Sequence, residues 1–205
     1  MIEVPPSLLR QFTDACHRVA DEGLVRCSSG NLSWRIDDKH MLVSASRTWL
    51  QNITEEGVAV CRIEDASVIN DRTPTVEVRF HSGILRERPE ANVVLHFQTP
   101  CATTFACMER QPNFFVTPEV PYYIGDIGYV SYFKPGSMEL AAAVTDAMRT
   151  HNLILMRNHG GVTAGKDFNE VIQNAAFFEL ACEILLRGGH NVQPLTEDAV
   201  RDLNA

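Results

Sequence analysis

The stretch NVVLHFQ, residues 92–98, decides the predicted fold. It is rich in apolar and β-branched residues, which is typical of a buried strand. Successive side chains of a strand point to opposite faces of a sheet, so Leu95 and Phe97 share one face. His96 and Gln98 share the other face, where two side chains of one strand can reach the same metal ion. The stretch therefore predicts both a sheet and a site on one face of it.

Strand and helix patterns on either side of this stretch complete the predicted architecture. Further strands are predicted at 31–36, 41–45, 57–63 and 153–156, with a turn at 37–40 between the first two. Helices are predicted at 7–22, 100–108, 136–151 and 168–187, the last with a capping box of Asp167 and Glu170 and a stop at Gly188 and Gly189. Thr75 is predicted to cap a further helix that carries Val76, Phe80 and Ile84 on one face and ends before Pro89. We therefore predict an α/β fold, a three-layer α/β/α sandwich around a mostly antiparallel sheet, in one domain spanning residues 1–205.

Composition excludes several classes of partner. A net charge of -8 and a pI near 5.3 argue against nucleic acid and anionic membranes as partners. No apolar run is long enough to span a bilayer, and the first residues lack the features of a secretory signal. The six cysteines are scattered without a CxxC pair, which favours reduced core residues over disulfides. A cytoplasmic protein is the expectation.

Four side chains are candidates for a single metal site: Glu77, His96, Gln98 and His159. Two glycines follow His159, which suits a backbone bend that brings the imidazole close to a site. Glu77 lies near a predicted helix start, where the helix dipole favours the ionised form. Such a carboxylate can bind a metal at rest and act as a base once substrate displaces it. Each motif alone is more often structural, and His81 fits a hydrogen-bonded neighbour better than a ligand.

Five segments taken together carry more information than any one of them. They are SGNLSWR (29–35), MLVS (41–44), PTVEVRFH (74–81), RPEANVVLH (88–96) and RNHG (157–160). In order and spacing they resemble the class II aldolase/adducin family, and the resemblance runs from about residue 8 to residue 187. The resemblance implies the class II aldolase fold and the chemistry of sugar-phosphate aldolases such as fuculose-phosphate aldolase, of epimerases and of a dehydratase.

The resemblance also implies a mechanism and an assembly. Family enzymes generally hold zinc through three histidines, and the metal polarises a carbonyl or enediolate. A glutamate that matches Glu77 serves as acid and base, and Tyr132 matches a tyrosine that donates a proton from the neighbouring subunit. A homotetramer with active sites at subunit boundaries is therefore implied, with a small molecule as substrate.

The metal site departs from the family pattern at Gln98, which stands where the second histidine of a His-X-His pair is expected. An amide oxygen is a weaker zinc ligand than imidazole. The stronger set is then His96, His159 and Glu77, and two histidines with one carboxylate also resemble non-haem iron sites. We expect a divalent metal, zinc first, with iron or manganese as alternatives.

The phosphate pocket departs from the family pattern as well. The resemblance assigns substrate binding to Asn31, Ser44, Ser46 and Thr75, but valine replaces a serine at position 76. Arg47 stands where a glycine is expected, and a guanidinium binds phosphate or carboxylate through paired N–H donors. The substrate is therefore a sugar phosphate or a carboxylated or smaller hydroxy-carbonyl compound.

Three functional hypotheses follow. The leading one is a metal-dependent lyase of the aldolase type, in which Glu77 carries the proton. The second is a non-catalytic module like the adducin head domains, with a degenerate metal site. The third is an iron-dependent oxygenase or a decarboxylating relative.

Overall fold

A seven-stranded sheet is the centre of the computed structural model, which describes residues 4–203. Its strands are β1 (Asn31–Arg35), β2 (His40–Ser44), β3 (Val58–Arg62), β4 (Val93–Phe97), β5 (Ile127–Val130), β6 (Leu153–Met156) and β7 (Gly160–Gly165). Across the sheet their order is β3-β2-β1-β4-β7-β6-β5. Only β5 and β6 pair in parallel among these strands, which confirms the predicted mostly antiparallel sheet.

Helices cover both faces of the sheet. They are α1 (Pro6–Asp21), α2 (Val78–Glu87), α3 (Pro100–Ala106), α4 (Met138–Ala147), α5 (Phe168–Gly188) and α6 (Glu197–Leu203). Helices α1, α3 and α5 bury their apolar side chains in one core, and α2 and α4 bury theirs in a second core. The three-layer α/β/α sandwich is thus confirmed. Within residues 4–203, no helix combines the length and apolarity that a bilayer crossing requires.

Strand alternation decides which core each side chain of β4 enters. Leu95 and Phe97 lie in the core of α1, α3 and α5, whereas Val94 lies in the core of α2 and α4. His96 follows the same alternation and packs edge-on against Phe80 of α2, with ring centroids 6.2 Å apart. The candidate site therefore lies on the α2 side of the sheet, at the end of β4.

The start of α2 differs from the prediction. The helix begins at Val78, Glu77 occupies the N-cap position, and no side chain caps this end. Thr75 lies two residues before the N-cap, and its hydroxyl accepts from the backbone N–H of Glu77 instead of from an N–H of the helix. Its own backbone N–H donates to the carbonyl oxygen of Ser44. Val76 precedes the helix and is 58% exposed, so the prediction that it lies on the apolar helix face is wrong.

The two glycines after His159 also have a different role from the predicted one. Gly160 and Gly161 open β7, and the left-handed residue of the preceding turn is Asn158, with φ 55°. A Cβ atom on Gly160 would lie 2.6 Å from the carbonyl oxygen of Phe97, and one on Gly161 would lie 2.2 Å from the Phe97 ring. The glycines are therefore required by the close approach of β7 to β4, and the bend itself lies one residue before His159.

Candidate active site

Three separate elements bring one carboxylate and two imidazoles together. His96 comes from the end of β4, His159 from the turn between β6 and β7, and Glu77 from the residue before α2. Glu77 Oε2 lies 3.6 Å from His96 Nε2, and Glu77 Oε1 lies 3.3 Å from His159 Nε2. One ligand atom from each residue lies within 4.8 Å of the other two. We call the group formed by Glu77, His96 and His159 the imidazole wall.

Both rings have nitrogen atoms available for a ligand, and Nδ1 of His159 is buried without a hydrogen-bond partner in residues 4–203. His96 Nδ1 donates to the carbonyl oxygen of Gly161 at 2.9 Å, so in the neutral ring Nε2 carries the lone pair that faces Glu77. Burial, followed by the neighbouring His96 ring, lowers the pKa of His159 to about 4, although Glu77 opposes the shift. His159 is therefore neutral near pH 7, which is the state that binds metal ions.

The two oxygen atoms of Glu77 have different surroundings. The side chain is 4% exposed, and Oε2 accepts a hydrogen bond of 2.8 Å from Asn31 Nδ2. Oε1 is buried and has no hydrogen-bond partner among residues 4–203. A buried carboxylate oxygen without a donor is costly, and a cation relieves that cost.

The spacing of the imidazole wall fits a divalent metal. Ligands at about 2.0–2.1 Å from a tetrahedral zinc ion lie roughly 3.3 Å from one another. The separations of 3.3 Å from Glu77 Oε1 to His159 and 3.6 Å from Glu77 Oε2 to His96 are close to that value, and the ligand atoms of all three residues lie within 4.8 Å of one another. Together with the unpartnered Oε1, this spacing makes Glu77, His96 and His159 a set that could hold such an ion.

Buried polar side chains form a chain of hydrogen bonds that starts at Glu77 Oε2. Asn31 Oδ1 accepts from His81 Nε2 at 2.5 Å, and His81 Nδ1 lies 2.8 Å from the hydroxyl oxygen of Ser33. Burial, followed by the charge of His96, lowers the pKa of His81 to about 3, so this ring is also neutral. Ser33 is a residue that sequence reasoning missed, although its position two residues after Asn31 on β1 places it on the same face.

Gln98 lies at the edge of the imidazole wall. Its Nε2 donates to the backbone carbonyl oxygen of His159 at 2.6 Å, which fixes both the amide and the turn that carries the imidazole. The remaining polar atom of this side chain is Oε1, the atom that would bind a metal. The strand predicted to end at Gln98 ends at Phe97.

A cavity of about 280 Å³ opens onto the imidazole wall. The same cavity is also lined by Ser46, Arg47, Thr75 and Val76, which we call the anion wall. Arg47 is exposed and adopts a left-handed backbone with φ 63°. Within residues 4–203 its guanidinium has no hydrogen bond and no ion pair. Thr75 is buried, and its hydroxyl accepts from the backbone N–H of Glu77 at 3.4 Å.

Two of the predicted site residues do not line this cavity. Ser44 is 1% exposed, and its hydroxyl oxygen accepts from the backbone N–H of Leu32 at 3.3 Å. Tyr132 is 58% exposed and is not among the residues that line the cavity. Asn31 does line it, but its carboxamide is hydrogen-bonded on both sides, to Glu77 and to His81.

Comparison with known sequences identifies relatives over most of the chain. Residues 10–186 match the family described as the Class II Aldolase and Adducin N-terminal domain. The chain is 28% identical over 188 residues to a 3-oxo-tetronate 4-phosphate decarboxylase of Haemophilus influenzae, with 89% of each chain covered. It is 32% identical over 163 residues to an L-fuculose phosphate aldolase of Methanococcus maripaludis, with 79% of this chain and 86% of the relative covered.

Solved structures share the fold. The YgbL protein of Klebsiella pneumoniae superposes with a TM-score of 0.90 at 24% identity, covering 97% of this chain and 98% of that one. The L-fuculose-1-phosphate aldolase of Thermus thermophilus superposes with a TM-score of 0.77 at 21% identity, covering 94% of this chain and 100% of that one. At these identities the likeness concerns the fold alone.

Proposed function

The chain belongs to the class II aldolase and adducin family, and we propose that it is a metal-dependent lyase that breaks a carbon–carbon bond next to a carbonyl group. One observation carries the proposal: the buried carboxylate of Glu77 lies 3.3 and 3.6 Å from two imidazoles, one through each oxygen, and its Oε1 has no hydrogen-bond partner in residues 4–203. A retained non-catalytic module has no need for such a costly arrangement. The relatives named above are lyases, which favours a lyase over the iron-dependent oxygenase.

His96, His159 and Glu77 are the proposed metal ligands, and Gln98 Oε1 is proposed to complete the set. When bound, a divalent ion polarises a carbonyl and stabilises the negative charge that develops on its oxygen. Zinc suits two neutral imidazoles and a carboxylate, and iron or manganese suits the same donors. The absence of a third imidazole makes the choice of metal less strict than in a three-histidine site.

Glu77 is the proposed proton carrier. Aldol cleavage removes the proton of a hydroxyl group, breaks the adjacent carbon–carbon bond and leaves the electron pair on the carbon next to the carbonyl, which then takes a proton. Oε1 is positioned to exchange protons with a bound substrate because Oε2 is already held by Asn31.

The substrate is proposed to be a small hydroxy-carbonyl compound with an anionic group. Arg47, Ser46 and Thr75 would bind that group, since a guanidinium without a partner in residues 4–203 and two hydroxyl groups line one side of the cavity. Asn31 and Ser44, the other predicted substrate ligands, would support the pocket from behind, given their existing hydrogen bonds. Tyr132 is proposed to serve the site of a neighbouring subunit in a homotetramer, since it is exposed outside its own cavity.

Decarboxylation of a 3-oxo acid is a second candidate, and the similarity to a 3-oxo-tetronate 4-phosphate decarboxylase over 89% of each chain favours it. In that reaction the bond to the carboxylate breaks, carbon dioxide leaves, and the electron pair stays on the carbon next to the carbonyl and takes a proton. The proton carrier is the same as for aldol cleavage, so the imidazole wall serves both reactions. A guanidinium at the anion wall suits a phosphorylated substrate such as the one in the Haemophilus influenzae relative's name.

Substitution of Glu77→Gln tests the proposal. Turnover of L-fuculose phosphate, followed as aldehyde release, or of 3-oxo-tetronate 4-phosphate, followed as carbon dioxide release, is expected to fall by about 10²–10⁴-fold. Elemental analysis with excess metal is expected to find the ion still bound to the imidazoles, with an affinity lowered by the change of one ligand. Glu179→Gln is the matched control, because Glu179 accepts hydrogen bonds from Thr99 and from the N–H groups of Cys101 and Ala102 away from the cavity.

The control and the metal content separate the competing hypotheses. Unchanged turnover in Glu77→Gln would refute the role of the carboxylate. Less than about a tenth of a metal ion per chain, with no thermal stabilisation by divalent ions, would favour the adducin-like module. Oxygen consumption with iron(II) and a keto acid would favour the oxygenase.

A further inference from the structure

We propose that Ser33, His81 and Asn31 form a positioning relay that holds Oε2 of Glu77 and thereby keeps Oε1 free for the metal ion and the substrate proton. The inference rests on the proposed function, since it concerns the same carboxylate. It adds two residues that the site chemistry described above does not use, Ser33 and His81. Both are fully buried, and neither lines the cavity.

The donors and acceptors of the relay can be assigned in only one way when Glu77 is ionised. A carboxylate only accepts hydrogen bonds, so Asn31 must present Nδ2 to Glu77 and Oδ1 to His81. The amide oxygen also only accepts, so His81 must carry its proton on Nε2. The Nδ1 of a neutral ring is then an acceptor, and the hydroxyl group of Ser33 donates to it.

The relay strengthens the preference for one orientation of the Asn31 amide. The carboxylate already favours Nδ2 at this contact, and the donor at His81 Nε2 adds a second hydrogen bond that a rotation of the amide by 180° would lose. The rotated amide would point Oδ1 at Glu77 Oε2, and two acceptors would then face each other in a buried site. The imidazole therefore helps to hold the amide against one carboxylate oxygen, and the other carboxylate oxygen has no hydrogen bond in residues 4–203.

Two spacings in the sequence build the relay. Asn31 and Ser33 alternate on β1, so both point to the α2 side of the sheet. His81 follows Glu77 by four residues, one turn of α2, so its ring lies on the same side of the helix as the carboxylate. Asn31 is also the register partner of His96 on the neighbouring strand β4, which places the relay directly beside a proposed ligand.

A purely structural role for these residues is the alternative, and the same helix offers a matched control. Ser82 is 2% exposed, and its hydroxyl donates one hydrogen bond of 2.8 Å to the carbonyl oxygen of Ile63. Ser33 is likewise buried and makes one side-chain hydrogen bond, to His81. Ser33→Ala and Ser82→Ala should therefore have similar effects on stability, and only Ser33→Ala should affect Glu77.

Titration of the metal-free protein with cobalt(II) alone is the first test, with the visible absorption of the bound ion as readout. Cobalt affinity is expected to fall by about 10–100-fold in His81→Phe and by about 3–10-fold in Ser33→Ala. The absorption bands of bound cobalt are expected to shift in both variants, because the carboxylate that binds the ion is no longer held. Ser82→Ala is expected to match the wild-type protein in affinity, within about twofold, and in spectrum. Equal losses in Ser33→Ala and Ser82→Ala would overturn the relay.

Nitrogen-15 NMR of the metal-free wild-type protein is the second test, and it does not depend on metal binding or on the folding of a variant. The His81 ring is expected to be neutral with its proton on Nε2 at pH 7. A proton on Nδ1 would overturn the relay. If the wild-type protein binds no cobalt, the proposed function fails, while the NMR result still decides whether the relay exists.

Discussion

The imidazole wall and the anion wall line the same cavity and are built in different ways. Glu77 and His96 are almost completely buried, and strands, a helix start and a tight turn fix the imidazole wall from several sides. The anion wall lies on the two loops that follow β2 and precede α2. There, Val76 is 58% exposed and Arg47 adopts a left-handed backbone.

This difference in rigidity suggests that one wall serves the reaction and the other serves substrate recognition. Side chains held by rigid elements and buried hydrogen bonds keep catalytic geometry, whereas exposed loops change their side chains with little cost to the fold. The imidazole wall should therefore determine which bond can be broken, and the anion wall should determine which molecule is accepted. Substitutions in the two walls should then have separable effects on metal binding, on stability and on anion binding.

Loss of an imidazole should give the largest effect. Zinc sites built entirely from protein ligands bind with about 10–16 kcal/mol in total, so one ligand contributes roughly 3 kcal/mol, or about 100-fold in affinity. We expect His159→Ala to weaken zinc binding by about that factor in calorimetric titration of the metal-free protein. His190→Ala, an exposed histidine after α5, is the control and should bind zinc like the wild-type protein. Equal zinc affinity in both variants would contradict the assignment of the imidazole wall.

Acid should destabilise the metal-free protein through the buried histidines near this wall. The pKa of His81 is about 3 in the folded protein and about 6.5 when unfolded, so the unfolded state binds more protons between these values. Stability is therefore lost as the pH falls below about 6.5, by about 1.4 kcal/mol per unit, or about 2 kcal/mol at pH 5. His159, whose pKa is lowered to about 4, acts in the same direction.

Urea unfolding at pH 7 and pH 5 measures this difference. The loss of stability should be smaller by about 2 kcal/mol in His81→Phe, because that variant has no imidazole to protonate on unfolding. Ser46→Ala, in the anion wall, should keep the full wild-type loss. A loss in His81→Phe as large as that of the wild-type protein would show that another group titrates.

The sheet was predictable where side chains alternate and not where glycine replaces them. The alternation of β4 predicted its two faces, and the structure confirms them. Strand β7 was missed because its sequence GGVTAG begins with two glycines, which have a low strand propensity. Glycine is required there because a Cβ atom at either position would clash with Phe97 on the neighbouring strand. Strand β5 was also missed, and a Cβ atom on its Gly128 would lie 2.7 Å from the Ile154 side chain. Such close approaches depend on the tertiary structure, and the local sequence does not indicate them.

The proposed metal ligands could be predicted from the sequence, but the residues that hold them in place could not. Glu77, His96 and His159 have side chains of the types that bind divalent metals, and this chemistry identifies them in the sequence. The bond of Ser33 to His81 joins residues 48 positions apart, so it depends on a strand register that no local pattern reveals. Arg88 lies in a segment that carries the family resemblance, and its guanidinium donates to the carbonyl oxygens of Met148 and His151 after α4.

Removal of the Arg47 side chain should give the smallest change in the free energy of unfolding. It should also separate the roles of the two walls most clearly, because only anion binding should be weakened. Arg47→Gly relieves a left-handed backbone with φ 63° and should raise the free energy of unfolding by about 1 kcal/mol or less. It also removes a guanidinium from the cavity, so the affinity for inorganic phosphate in calorimetric titration should fall by about tenfold. Ala66→Gly is the control, because Ala66 has φ 61° and lies after β3, outside the cavity. Both substitutions should stabilise the fold in urea, and only the one at Arg47 should weaken phosphate binding. If phosphate affinity were unchanged, recognition would have to come from the hydroxyl groups alone, and the separation between the two walls would lose its basis.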